Sequence, residues 1–266
     1  MKGYLSHFKS QILTGMQYKV AAIAGILTQA FWGIFYVVMY KAFYSHTAIT
    51  TINFQQLMSY VWLNQAFLYI TAFRFINKEI TDQIHDGTVA YELCRPYNLY
   101  LWWFIKTLAK RYSSVMMRML PVLSLAFLLP KPYGLSLPFS INSFIFFIIT
   151  LFLGSLIVTA INMIIHTIGF YLLNEKGIRT IIYSIAEVLS GFNIPVLLLP
   201  NILIKITEYL PFRLVGDLPF RIYSGNIMGF YLYKCVILQI IWLIILIIIG
   251  YLLMIHSLKK VSIQGG

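Results

Sequence analysis

Residues 141–173 read INSFIFFIITLFLGSLIVTAINMIIHTIGFYLL, 33 consecutive positions without Asp, Glu, Lys or Arg. A bilayer core needs roughly 20 apolar residues per crossing helix. This run exceeds that, so tilt or an end projecting into water is expected. Working outward, five further apolar stretches are predicted to cross, at about 20–43, 54–75, 112–129, 181–199 and 227–256. Pro130 and Pro132 stop the third of these. The predicted fold is an all-α integral membrane protein, a single membrane domain over 1–266 with six transmembrane helices.

Composition agrees. The chain is 60% apolar and 11% charged, where a soluble domain is about half apolar and about a quarter charged. No water-soluble core hides that much apolar surface. The net charge of +12 would suit nucleic acid, but the basic residues flank apolar runs. That pattern fits the cytoplasmic face of a membrane instead. With an inside start, 14 of the 20 Lys and Arg fall on the inner side. Six fall outside: Lys41, Lys131, Lys205, Arg213, Arg221 and Lys234. Both termini are therefore expected in the cytoplasm, and the Ile- and Lys-rich composition points to a bacterial inner membrane. Trp102 and Trp103 mark the inner interface, and Tyr36, Tyr40, Phe43 and Tyr44 the outer one. The first run has no small-residue cleavage site after it and reads as a retained span. Cys94 and Cys235 show no pairing or metal-site spacing.

Three shorter segments stand out. In residues 1–19, Leu5, Phe8 and Ile12 recur at helical spacing among Lys2, Lys9 and Lys19, predicting an amphipathic interfacial helix. Between the fifth and sixth spans, 200–226 contains Pro200, Pro211 and Pro219 and an apolar piece at 202–210 that is too short to cross. It reads as an outer re-entrant or interfacial element. After the second span, Phe73, Ile76, Ile80 and Ile84 form one apolar stripe, with Lys78, Glu79, Asp82 and Asp86 on the other faces and Gly87 as a helix stop. This helix either docks into a partner or is simply anchored to lipid; pattern alone leaves both open.

The chain continues Gly87-Thr88-Val89-Ala90-Tyr91-Glu92-Leu93-Cys94-Arg95-Pro96. This resembles the Gly…Leu-x-Arg-Pro signature of permease subunits of type-two ABC exporters, in the branch that combines two related permeases with a separate ATPase. Leu210-Pro211-Phe212 and Leu218-Pro219-Phe220-Arg221-Ile222-Tyr223-Ser224-Gly225 resemble that branch as well. The resemblance implies a dimeric transmembrane domain and a cytoplasmic coupling helix at 76–86 that sits in a groove of the ATPase. Ile76, Ile80 and Ile84 would be its apolar contacts or its membrane-facing side. Lys78, Glu79, Asp82, Asp86 and Gly87 would complete it, and Arg95-Pro96 would break the chain before the third span. ATP and Mg would belong to the partner. This sequence has no Gly-x-x-x-x-Gly-Lys-Ser/Thr loop to cradle phosphates, and no cofactor or metal is expected on it. An amphipathic substrate such as a drug, peptide or lipid is expected, moved outward because the short outer loops leave no room for a capture domain.

Polar residues within spans are candidates for a substrate path or a permease interface, because they are costly in lipid. Glu187 lies among Ile185, Ala186, Val188 and Leu189 and either sits at a permease interface or along a substrate path, or makes a packing contact such as one with a basic residue of a partner. Asn162 and His166, four apart, share a helix face and are expected to hydrogen-bond between helices. Asn193, with Gly191 and Pro195, marks a local break. Gln29, Trp32 and Asn64 line either a contact or a path. Arg118 is expected to snorkel to the headgroups.

Two other function classes fit the sequence less well. Ion-coupled secondary transporters bury several ionisable groups and often carry paired broken helices; one deep glutamate and one histidine are a thin set. Asp86-Gly87 with Arg95 resembles part of a phosphatidyltransferase motif. No further aspartate follows before Asp217, so a metal-binding set of oxygens is missing.

Overall fold

The computed structural model describes residues 2–46, 52–172 and 176–259. Among these the regular structure is all helical, with no strand. In order the helices are α1 (Lys2–Gly15), α2 (Lys19–His46), α3 (Phe54–Ala66), α4 (Leu68–Thr71), α5 (Lys78–His85), α6 (Val89–Leu93), α7 (Leu99–Leu128), α8 (Ile141–Ile168), α9 (Lys176–Leu189), α10 (Asn201–Thr207), α11 (Pro211–Gly216), α12 (Leu218–Tyr223) and α13 (Gly229–Leu258). Among the described residues, α2, α8 and α13 are long and apolar enough to cross a membrane.

Helix α8 is the axis of the bundle. It packs against α13, α12, α11, α7 and α4, and it is the most buried of the three long apolar helices. Close approach has a local cause: a Cβ on Gly154 would stand 3.3 Å from the Val215 backbone. By contrast, Val20, Leu27 and Phe31 of α2 and Phe230, Ile237 and Ile244 of α13 point outward. An apolar face of that length is stable only against hydrocarbon or another subunit.

Several boundaries differ from the expected ones. The second span, expected over 54–75, breaks at Phe67 and leaves helical structure after Thr71. The third begins at Leu99, not near 112, where the Asn98 side chain accepts from Leu101 N–H at 3.0 Å. Its early turns carry Lys106 and Arg111, which read as loop charges but are turned into the protein. The fourth ends at Ile168. The fifth is shifted to Lys176–Leu189, then leaves the helix through Gly191 at φ +76°, a left-handed conformation that favours glycine. A short 3-10 turn at Val196–Leu198 follows. The expected outer loop at 44–53 lies partly outside the described residues.

Arg118 does not snorkel. It is 9% exposed, donates to Ala21 O at 3.1 Å and lies 4.1 Å over the Tyr69 ring. Gly25 makes room for it, since a Cβ there would stand 2.5 Å from Arg118 Nε. The 200–226 segment folds into α10, α11 and α12, the last two starting with a proline in the first turn, where its missing N–H costs nothing. Arg213 and Arg221, assigned to the outer charge tally, are buried instead. Arg221 pairs with fully buried Asp217 at 3.0 Å.

Helix α1 lies along α7, with His7 stacked on Trp102 at 3.6 Å. Its protein-facing side includes Phe8 and Ile12, whereas Leu5 and Leu13 face outward. The expected apolar stripe is thus split between protein and surroundings.

Candidate cytoplasmic coupling site

The chain between α4 and α5 is non-helical, so its carbonyls need partners from elsewhere. Arg111 of α7 meets two of them, those of Ala72 and Phe75, together with the Tyr69 carbonyl inside α4. Its guanidinium is fully buried and donates to Tyr69 O at 3.1 Å, Ala72 O at 2.8 Å and Phe75 O at 3.0 Å. A planar fork with five N–H groups is suited to such a fan of acceptors. From α8, Asn162 Nδ2 donates to the same Phe75 carbonyl at 2.8 Å. The link is therefore held by two long helices before α5 begins.

Helix α5 then seats by its apolar side. Ile80 is fully buried in a cluster with Phe73 and Trp103, and Ile76 and Ile84 pack at its edge. Ile84 also approaches the end of α8, its Cγ2 lying 3.8 Å from where a Gly169 Cβ would be. The stripe therefore faces this chain's own bundle. Outward stand Lys78, Glu79, Asp82, His85, Asp86 and Gly87. Charge reinforces the seat: Lys106 Nζ of α7 bonds Glu79 Oε1 at 2.5 Å, and Lys110 Nζ donates to Asn77 Oδ1 at 3.3 Å. Glu79 in the first turn and His85 in the last are placed as the helix dipole favours. Thr81 Oγ1 lies 3.5 Å from His166 Nδ1, and the two line a small cleft with Ile76, Ile84 and His85.

Gly87 ends α5 at φ +69°, as its expected role requires. After α6 the chain breaks at Arg95-Pro96, and Arg95 Nη1 stands 4.0 Å from Glu92 Oε1. Tyr97 donates to Glu92 and stacks on Trp102 at 4.2 Å. Burial first, and then this bond, push the Tyr97 hydroxyl up to about 12. The opposite neighbour of Trp102 is His7, whose pKa is lowered by burial and then by the positive charge of Lys106. The signature segment is thus tied to α1 as well as to α7.

The remaining sequence candidates lie apart from α5. Glu187 of α9 is 7% exposed and is paired within the chain: Arg74 Nε bonds its Oε1 at 2.6 Å. The packing-contact reading is the one the geometry supports, with the basic partner on the same chain. Asn193 is exposed on the loop after α9, and Tyr40 donates to its carbonyl at 3.4 Å. Sequence reasoning missed Arg111 and Lys106 as site residues. The sequence carries no local signal for them, because their burial on α7 is set by the assembled bundle.

A family model described as ABC-2 family transporter protein matches residues 26–265. The chain belongs to the ABC-2 transporter family. It is thus a multi-pass ABC transporter permease, and the site around α5 is part of a transport protein. The match begins inside α2, so α1 lies outside it. No curated protein matches the chain.

Proposed function

We propose that this ABC-2 permease is the transmembrane half of an ATP-driven exporter of amphipathic compounds, with ATP and Mg bound by a separate cytoplasmic ATPase. The ATPase docks on the outward face of α5, formed by Lys78, Asp82, His85, Asp86 and Gly87, with Arg95 at its edge. A second permease, identical or related, completes the transmembrane domain. Six crossings, made by α2, α3–α4, α7, α8, α9 with the following turn, and α13, leave both termini in the cytoplasm of a bacterial inner membrane.

One observation carries this reading: α5 buries its isoleucines at home and presents a charged face outward, while Arg111 and Asn162 fasten its root to two long helices. A push on that face passes to α7 and α8 through hydrogen bonds rather than through a free loop. An ion-coupled mechanism is less favoured, because Glu187 is already committed to Arg74.

The test is affinity purification from native membranes in mild detergent. An ATP-binding subunit is expected with the unmodified chain and is expected to be lost with Asp82→Lys combined with Asp86→Lys, while the permease elutes unchanged. Recovery of intact permease without an ATPase, under conditions where ABC complexes survive, returns an ion-coupled transporter to first place. Ile80→Asp is the wrong probe, since it puts a charge into the bundle rather than on the docking face.

A further inference from the structure

A second polar site lies between α2, α3 and the loop that follows α9. It is lined by Tyr36, Tyr40, Tyr60, Asn64, Gln65 and Asn193. Its far wall is a run of three carbonyls, each taken by one side chain. Tyr60 donates to Gly191 O at 2.7 Å, Asn64 Nδ2 to Phe192 O at 2.7 Å, and Tyr40 to Asn193 O at 3.4 Å. The Asn64 bond fixes the orientation of that amide. A carbonyl only accepts, so the NH2 group must face Phe192, and Oδ1 is turned the other way. Asn64 is 6% exposed, and its Oδ1 is buried without a partner. A buried acceptor left bare costs about 1–3 kcal/mol, so the site is incomplete without a donor.

The rest of the lining says which donor. Trp32, Tyr36 and Tyr40 recur every four residues on α2 and form a continuous ring ladder, with Tyr36 and Tyr40 stacked at 6.2 Å. Trp32 and its neighbour Phe35 are partly open to the outside of the chain. Aromatic faces are electronegative and attract ammonium groups, most strongly where water is excluded. No Lys, Arg, Asp or Glu is among the lining residues. A carboxylate would meet a bare amide oxygen with no cation to compensate, whereas an N–H-bearing ammonium satisfies Oδ1 and rests on the rings.

We propose that this pocket binds the ammonium head of an amphipathic primary amine, with its apolar tail along the α2 aromatic ladder. This rests on the transporter reading above in taking the amine to be the cargo, but binding itself needs no ATPase.

The test uses the full chain, purified and placed in phosphatidylcholine nanodiscs. Tryptophan fluorescence is titrated with dodecylamine, dodecyltrimethylammonium and dodecanoate, with empty nanodiscs as blank. Dodecylamine is expected to bind tightest and dodecanoate weakest, because the quaternary head has no N–H and the carboxylate has the wrong sign. Asn64→Leu removes the acceptor and is expected to weaken dodecylamine about tenfold or more, as for a hydrogen bond to a charged group. Tyr36→Leu leaves all three carbonyl bonds in place and is expected to weaken both cations by about threefold to tenfold. Equal binding of dodecylamine and dodecanoate, or unchanged dodecylamine affinity in a folded Tyr36→Leu variant, overturns the proposal even if Asn64→Leu fails to fold. If the amine does not bind while the ATPase still co-purifies, the pocket assignment alone falls. If the amine binds and no ATPase is recovered, the exporter reading alone falls.

Discussion

Two breaks in helical structure are solved in different ways in this permease. At the root of α5, three carbonyls from Tyr69 to Phe75 are gathered by one buried guanidinium, with Asn162 as a second donor. After α9, the carbonyls of Gly191, Phe192 and Asn193 are each met by a separate neutral side chain from α2 or α3. The first arrangement ties several acceptors to one rigid plane, so they hold or fail together. The second divides the load among independent bonds, and one of its donors keeps an unused oxygen. A fixed seat is what the coupling role proposed for α5 would need. A lining that yields one bond at a time suits a place where a ligand enters.

That contrast can be broken by measurement. The largest effect is expected for Arg111→Leu, which takes a donor from three carbonyls at once, only Phe75 keeping a second one in Asn162, and should cost more than about 3 kcal/mol. The expected outcome is poor recovery of folded protein and a large fall in the thermal denaturation midpoint in detergent. Gly191→Ala comes next. Its backbone is left-handed, and the new Cβ would stand 2.6 Å from the Tyr60 hydroxyl, so about 2 kcal/mol of destabilisation is expected. Tyr60→Phe deletes one neutral donor and leaves one buried carbonyl bare, for about 1–2 kcal/mol in the same denaturation assay. The smallest effect belongs to Tyr40→Phe, whose 3.4 Å bond is long enough that about 0.5 kcal/mol or less is expected. Hydrogen exchange of the flanking amides sharpens the comparison. Arg111→Leu should speed exchange throughout the α5 root, whereas Tyr60→Phe should act near Gly191 alone. Uniform loosening of the α9 loop by Tyr60→Phe would show that the bonds there also act as one unit.

Periodicity identified α5 correctly as an amphipathic helix, and Gly87 as its end, because both depend on neighbours along the chain. It left open which way the isoleucines point, since the same stripe serves a partner, a lipid surface or the home bundle. The cations were misread for a related reason. Lys106, Arg111 and Arg118 look like loop or headgroup charges in one dimension. Their actual partners are Glu79, the link carbonyls, and Ala21 with the Tyr69 ring. Those partners are separated from them by tens of residues, so no local pattern announces them. The same holds for Glu187, whose partner Arg74 lies 113 residues away.

Hydropathy alone determined the solvent: long uncharged runs cannot be hidden in water, and their desolvation is a property of composition. Helix breakers and short periodicities likewise located short helices in residues 1–19, after the second apolar run and in 200–226. Tertiary structure decided which charges are buried, where the second, third and fifth helices begin or end, and which face of α5 stays exposed. Each of those outcomes turns on a hydrogen-bond donor from one helix meeting a carbonyl or carboxylate of another. That energy exists only once the helices are assembled.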